Sequence, residues 1–90
     1  MAITIIRLSG RVIRHSRKYV IVISPGKSRE LKRLFKALVH NGHVMVEVNG
    51  IQMSVHAGAL GNRLVLYLPR ELDPIWERVH GESVDVSILA

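Results

Sequence analysis

The side chains best equipped to do chemistry in this chain of 90 residues are basic. Arg7, Arg11, Arg14, Arg17 and Lys18 fall in one stretch that contains no acid. Arg7, Ser9 and Arg11 alternate with Leu8, Gly10 and Val12, so on a strand both arginines share one face. Arg14, His15, Ser16, Arg17 and Lys18 then form a turn into a second strand. A protruding basic hairpin can follow a phosphate backbone or enter a groove of duplex DNA. The arginine guanidinium adds a planar fork that fits phosphate or guanine. The competing role for these residues is to charge a solvated sheet edge against aggregation. A second group follows. Lys27 lies in a loop, and Arg29, Lys32, Arg33 and Lys36 lie opposite the apolar side of a helical pattern. They either extend the basic patch or form a solvated helix face.

Other chemistry is less well supported. Ser24-Pro25-Gly26-Lys27-Ser28, between a strand and a helix, has part of a phosphate-loop outline. The full pattern needs glycine at position 21, where Ile21 stands. Nucleotide hydrolysis is therefore not expected, although the backbone amides there suit a lone phosphate. The plain reading is a helix start capped by Ser24 or Ser28. There are five histidines. His43 and His56 should face each other, but zinc needs about four ligands and Glu47 is the one acid nearby. No metal and no cofactor are expected. Cysteine is absent, which excludes disulfides and thiolate chemistry. No nucleophile–base–acid set stands out, and Glu71, Asp73 and Glu77 read as charges in a helix's first turn. An enzyme is not expected. The aromatic residues, Tyr19, Phe35, Tyr67 and Trp76, are too few for a base-stacking platform.

The elements that must position the basic residues follow from hydrophobic period. Tyr19–Ile23 is a β-branched strand ended by Ser24-Pro25. Leu31, Leu34, Phe35 and Leu38 have the spacing of one apolar helix face, and Asn41-Gly42 closes that helix. Val44, Val46 and Val48 alternate with His43, Met45 and Glu47 as a half-buried strand. The second half repeats this order. Leu64–Leu68 is a strand ending at Pro69, Asp73 caps a short helix with Pro74 in its first turn, and Gly81 ends it. Val84, Val86 and Ile88 form the last alternating strand. Each repeat opens with an extended segment, Ile3–Ile13 and Ile51–Ala57. Between them, Asn49-Gly50 signals a type I′ hairpin turn, which pairs Val48 with Ile51, Val46 with Met53 and Val44 with Val55.

The expected fold is mainly β with two short helices: a six-stranded closed β-barrel built from two β-β-α-β repeats, 1–48 and 51–90, about a pseudo-twofold. It forms a single domain over 1–90. Closure removes the edges that one repeat would leave exposed. Trp76 is expected to plug the barrel or lie at an interface. The composition agrees with a globular domain, at 48% hydrophobic and 22% charged residues. Net charge is +6 but uneven. Residues 1–48 carry ten basic and two acidic side chains, a net of +8, and residues 49–90 a net of −2. Such a basic half attracts polyanions. The longest uncharged stretch, Val48–Asn62, is too short and too polar to span a bilayer, and Met1–Ile6 lacks the features of a signal peptide. The expected location is cytoplasmic, with no membrane contact.

The segment Gly61-Asn62-Arg63-Leu64-Val65-Leu66-Tyr67-Leu68-Pro69-Arg70-Glu71-Leu72 resembles the AbrB-type swapped-hairpin DNA-binding half. The tail Gly81-Glu82-Ser83-Val84-Asp85-Val86 resembles that family's closing strand, and residues 17–48 repeat the outline more loosely. A fused pair of such halves is similar to the RIFT-type and double-psi barrels of the cradle-loop group. The resemblance implies a barrel and nucleic-acid binding through basic residues of the first strand and of the loop before the Pro strand. It differs in holding both halves in one chain, and in that the half with the better match is the acidic one. The expected function is a small basic nucleic-acid-binding protein, an AbrB-like duplex DNA-binding regulator or chromatin component, acting as a monomer or weak homodimer. The alternative is a non-catalytic barrel module that docks a protein partner or a small nucleotide-like ligand.

Overall fold

The computed structural model describes residues 3–23, 42–61 and 63–89, apart from the side chain of Ile5. Six strands form in chain order: β1 (Thr4–His15), β2 (Lys18–Ile23), β3 (His43–Val48), β4 (Ile51–Leu60), β5 (Arg63–Tyr67) and β6 (Ser83–Leu89). They close into a barrel in the order β1-β2-β5-β4-β3-β6, and every neighbouring pair is antiparallel. One helix, α1 (Asp73–Arg78), lies among the described residues, preceded by a 3-10 turn at Arg70–Leu72. The first expected helix, built on Leu31, Leu34, Phe35 and Leu38, lies outside the described residues.

The β3–β4 hairpin has the register that the Asn-Gly turn predicts. His43 faces His56, Val44 faces Val55, Val46 faces Met53 and Val48 faces Ile51. Asn49 (φ 51°) and Gly50 (φ 79°) both take the left-handed conformation a type I′ turn requires. Val44, Val46, Val48, Met53 and Val55 then all point into the barrel and are buried. A slip of one residue would turn all of them to solvent, which is why the register is unique.

β1 runs to His15, two residues past the expected end at Ile13, and it serves two neighbours. It pairs with β6 from Thr4 to Arg11 and with β2 from Gly10 to His15. The handover falls at Gly10, where a Cβ would collide with Cγ2 of Ile21 and lie 3.1 Å from the Val22 carbonyl oxygen. The strand can coil from one partner to the other only because this position has no side chain.

β2 and β5 are continuously apolar because both their faces are covered. Ile21 and Leu66 belong to the interior cluster, whereas Val20 and Val65 lie on the opposite face and outside that cluster, yet are just as buried.

α1 begins differently from the expectation that Asp73 caps it. Pro69 (φ −62°, ψ 136°) ends the extended chain, and the Leu72 N–H donates to its carbonyl at 3.2 Å. Winding therefore starts in the 3-10 turn, and Asp73 is already helical at φ −49°, ψ −41°. Its Oδ1 is buried with no hydrogen-bond partner. Pro74 sits in the first turn, where a missing N–H costs nothing. Gly81 (φ 83°) turns the chain back to β1. Its N–H donates to the Val12 carbonyl at 2.7 Å, and the Val12 N–H donates to the Glu82 carbonyl at 3.1 Å. Trp76 is fully buried in the interior cluster. Of its two expected roles, the structure shows the plug.

Candidate polyanion interface

β1 positions Arg7, Ser9 and Arg11 on the outward face, all exposed, with Leu8, Gly10 and Val12 buried between them. The strand places Arg14 differently. It pairs with Tyr19, on the face that turns inward. Because the barrel ends there, its guanidinium carbon lies 5.8 Å from the centroid of the Tyr19 ring. Such a cation over an aromatic face contributes about 0.5–1 kcal/mol at an exposed site. Tyr19 also meets His80 edge to face, with ring centroids 5.9 Å apart. Arg14 is thus held at the barrel rim.

The tip of the β1–β2 hairpin projects. β2 pairs with β5 only from Val20 onward, and β1 pairs with β6 only as far as Arg11. Among the described residues, the last rung, His15 with Lys18, has no strand on either side. Ser16 (φ 50°) and Arg17 (φ 66°) make the turn, both left-handed without being glycine. A two-residue turn joining twisted strands demands that conformation. An L-residue held there costs roughly 1–2 kcal/mol. Arg14, His15, Ser16, Arg17 and Lys18 are all exposed. Lys27, Arg29, Lys32, Arg33 and Lys36 lie outside the described residues.

The acid-free run from residue 7 to residue 18 does not give an acid-free surface. β6 lies beside β1, and Asp85 faces Ser9, between the rungs Arg7–Ser87 and Arg11–Ser83. Asp85 is exposed on the same outward face. An acid at that diagonal position offsets part of the charge of both arginines. Among the described residues, the positive charge of the hairpin tip has no such cross-strand neighbour, because no described strand lies beside it.

Arg63 is the one basic residue that the second half supplies in the zones where the AbrB-type resemblance implies DNA contact, outside the set expected to bind, and the structure brings it near Arg11. Val22 faces Arg11 on one side and Val65 on the other, and Arg63 lies two residues before Val65. A groove of about 270 Å³ opens at this place, lined by Gly10, Arg11, Ile13, Val22, Ile23, Arg63 and Ser83. Nothing in the chain order links Arg11 to a residue 52 positions later. The signal was the apolar alternation that makes β2 and β5 neighbours.

The opposite side of the barrel carries rings. His43 and His56 meet edge to face at 5.4 Å, and His56 lies 5.7 Å from Tyr67. Tyr67 covers Gly58, where a Cβ would stand 2.8 Å from its ring. Among the described residues, no group of three or more His, Asp or Glu side chains converges as a metal site, and no helix is long and apolar enough to cross a membrane. Comparison of the chain with family models, curated proteins and solved structures returns no match.

Proposed function

We propose that this is a small nucleic-acid-binding protein that grips backbone phosphates of duplex DNA through the β1–β2 hairpin, in the manner of an AbrB-like regulator or chromatin component. It acts in the cytoplasm, without catalysis, as a monomer or weak homodimer. The observation that carries the reading is the projecting tip, where Arg14, Arg17 and Lys18 are all exposed beyond the last neighbouring strand. A two-stranded ribbon fits the major groove, which is about 12 Å wide. The competing role weakens once the sheet closes. Charges guard exposed edges, and closure covers both sides of β1 at Gly10 and Arg11 and of β2 from Val20 to Val22, which leaves at the tip an open edge too short to template another strand.

The same proposal treats the barrel as a duplicated unit related to the cradle-loop group. The pairing registers support the duplication. Leu60 and Arg63 pair as His15 and Lys18 do, 45 positions earlier. Val22 pairs with Val65 and Val20 with Tyr67, the same relation read from either half. Glu47–Gln52 repeats Arg7–Ser87, with β3 and β6 offset by 40.

The test is a salt titration of binding to duplex DNA, single-stranded DNA and RNA, on the wild type and on R14Q/R17Q/K18Q. Neutralising three phosphate contacts should flatten the slope of log K against log salt by roughly 2–3 and lower affinity at low salt. A triple variant that binds duplex DNA as the wild type does removes the hairpin from the interface. The second reading, a module for a small nucleotide-like ligand, is favoured by one feature, the groove at Arg11 and Arg63.

A further inference from the structure

We infer that the groove between β6, β1, β2 and β5 is a phosphate-binding subsite, in which Arg11 and Arg63 hold a phosphate group from two sides and Ser83 offers a hydroxyl. Four observations lead there. The described lining contains two guanidinium-bearing residues and no acid. Both arginines are exposed, so a ligand can reach them, with part of the charge of Arg11 offset by Asp85 across the β1–β6 ladder. The remaining side chains, Ile13, Val22 and Ile23, are apolar, and an apolar floor strengthens the attraction between charges set above it. Finally, β1 and β5 flank β2, and Arg63 stands two residues before the Val65 that is level with Arg11, so two strand spacings and one two-residue step separate the arginines, about 12 Å. Long side chains can converge from that distance on one tetrahedral anion.

The duplication proposed above shows why the groove is open. Position for position, Arg11, Ile13, Val22, Arg63 and Ser83 correspond to His56, Gly58, Tyr67, Lys18 and His43. On that other side the Tyr67 ring lies over Gly58 and against His56, filling the equivalent space. In the groove, Val22 replaces the ring and Ile13 replaces the glycine. The volume stays free and the two histidine positions become Arg11 and Ser83. One side of the barrel is packed with rings, and the other is left as a basic hollow.

The phosphate has two possible sources, a nucleic-acid backbone or a free phosphorylated ligand. Arg11 to Ser16 is five residues of strand, roughly 17 Å. That is the rise of about five base pairs at ~3.4 Å each. A duplex gripped by the hairpin tip would therefore reach the groove. This source rests on the function proposed above, and the phosphate chemistry does not.

The experiment follows the backbone amides of Gly10 and Ser83 by NMR in the full chain, titrated with inorganic pyrophosphate and with a short duplex. It uses the wild type, R63Q, R63K and the hairpin variant R14Q/R17Q/K18Q. Pyrophosphate should shift both amides in the wild type and in the hairpin variant, and R63Q should lose the effect. R63K keeps the charge without the fork and should retain part of it. If the backbone is the source, R63Q should also flatten the salt slope of duplex binding by about 1. Groove shifts with an unchanged slope assign the site to a free phosphorylated ligand. Pyrophosphate shifts no larger in the wild type than in R63Q, with equal duplex slopes, overturn the subsite and leave the hairpin reading intact. Groove shifts in a protein that binds no duplex leave the subsite standing and sink the function proposed above.

Discussion

Arg17 is held in a left-handed conformation that glycine would adopt without strain. Relief of that strain, less the extra freedom glycine has in the unfolded chain, should make Arg17→Gly more stable by about 0.5–1 kcal/mol. The same substitution removes a charge from the projecting tip and should weaken duplex binding. Chemical denaturation beside a binding titration checks both. Stability gained with affinity unchanged would mean that the tip serves the turn alone. Asp85 makes the opposite case. It stands between Arg7 and Arg11 across the β1–β6 ladder. Cross-strand charge pairs contribute about 0.2–1 kcal/mol, so Asp85→Asn should raise duplex affinity by up to about 5-fold at low salt. An unchanged affinity would place the outward face of β1 outside the contact.

The long strand β1 depends on a single position. Gly10 pairs with Ile23 on one side and Val84 on the other, and a side chain there meets Ile21 in a filled interior. Gly10→Ala should therefore destabilise the barrel by about 1–3 kcal/mol, the usual cost of overpacking, visible as a lower denaturation midpoint with an unchanged slope. Gly50→Ala offers a comparison, because nothing lies within 4 Å of its Cβ position and only the positive φ of 79° resists. Equal costs at the two positions would argue against the steric account of Gly10. In the sequence, Leu8-Ser9-Gly10-Arg11-Val12 reads as plain alternation. That this glycine marks a handover between two partners is a tertiary fact: the basic turn announces β2 as a partner of β1, but no local pattern announces β6.

Closure ties the strands and α1 into one unit. Trp76 plugs the same barrel end from which the hairpin projects, and it belongs to the interior cluster of the strands. Its Nε1 has no hydrogen-bond partner in that interior. Packing therefore holds it there, and the plug cannot leave without opening the core. Thermal unfolding followed by Trp76 fluorescence and by far-UV circular dichroism should give coincident transitions. An earlier fluorescence transition would show α1 detaching from a barrel that stands without it.

Local pattern carried much of this architecture. The Asn49-Gly50 turn, the β3–β4 register, the two-sided burial of β2 and β5 and the inward set of each alternating strand all follow from side-chain period and turn chemistry, which act over a few residues. Charge placement did not follow. The strand order sets β6 of the second half against β1 of the first, and β5 against β2. The strands of the two halves of the chain are therefore interleaved around the barrel. Asp85 reaches the arginines of β1, and Arg63 joins Arg11 over one groove. Composition along a chain is a one-dimensional quantity, whereas an electrostatic surface depends on which strands become neighbours, and only the pairing of residues far apart in sequence decides that.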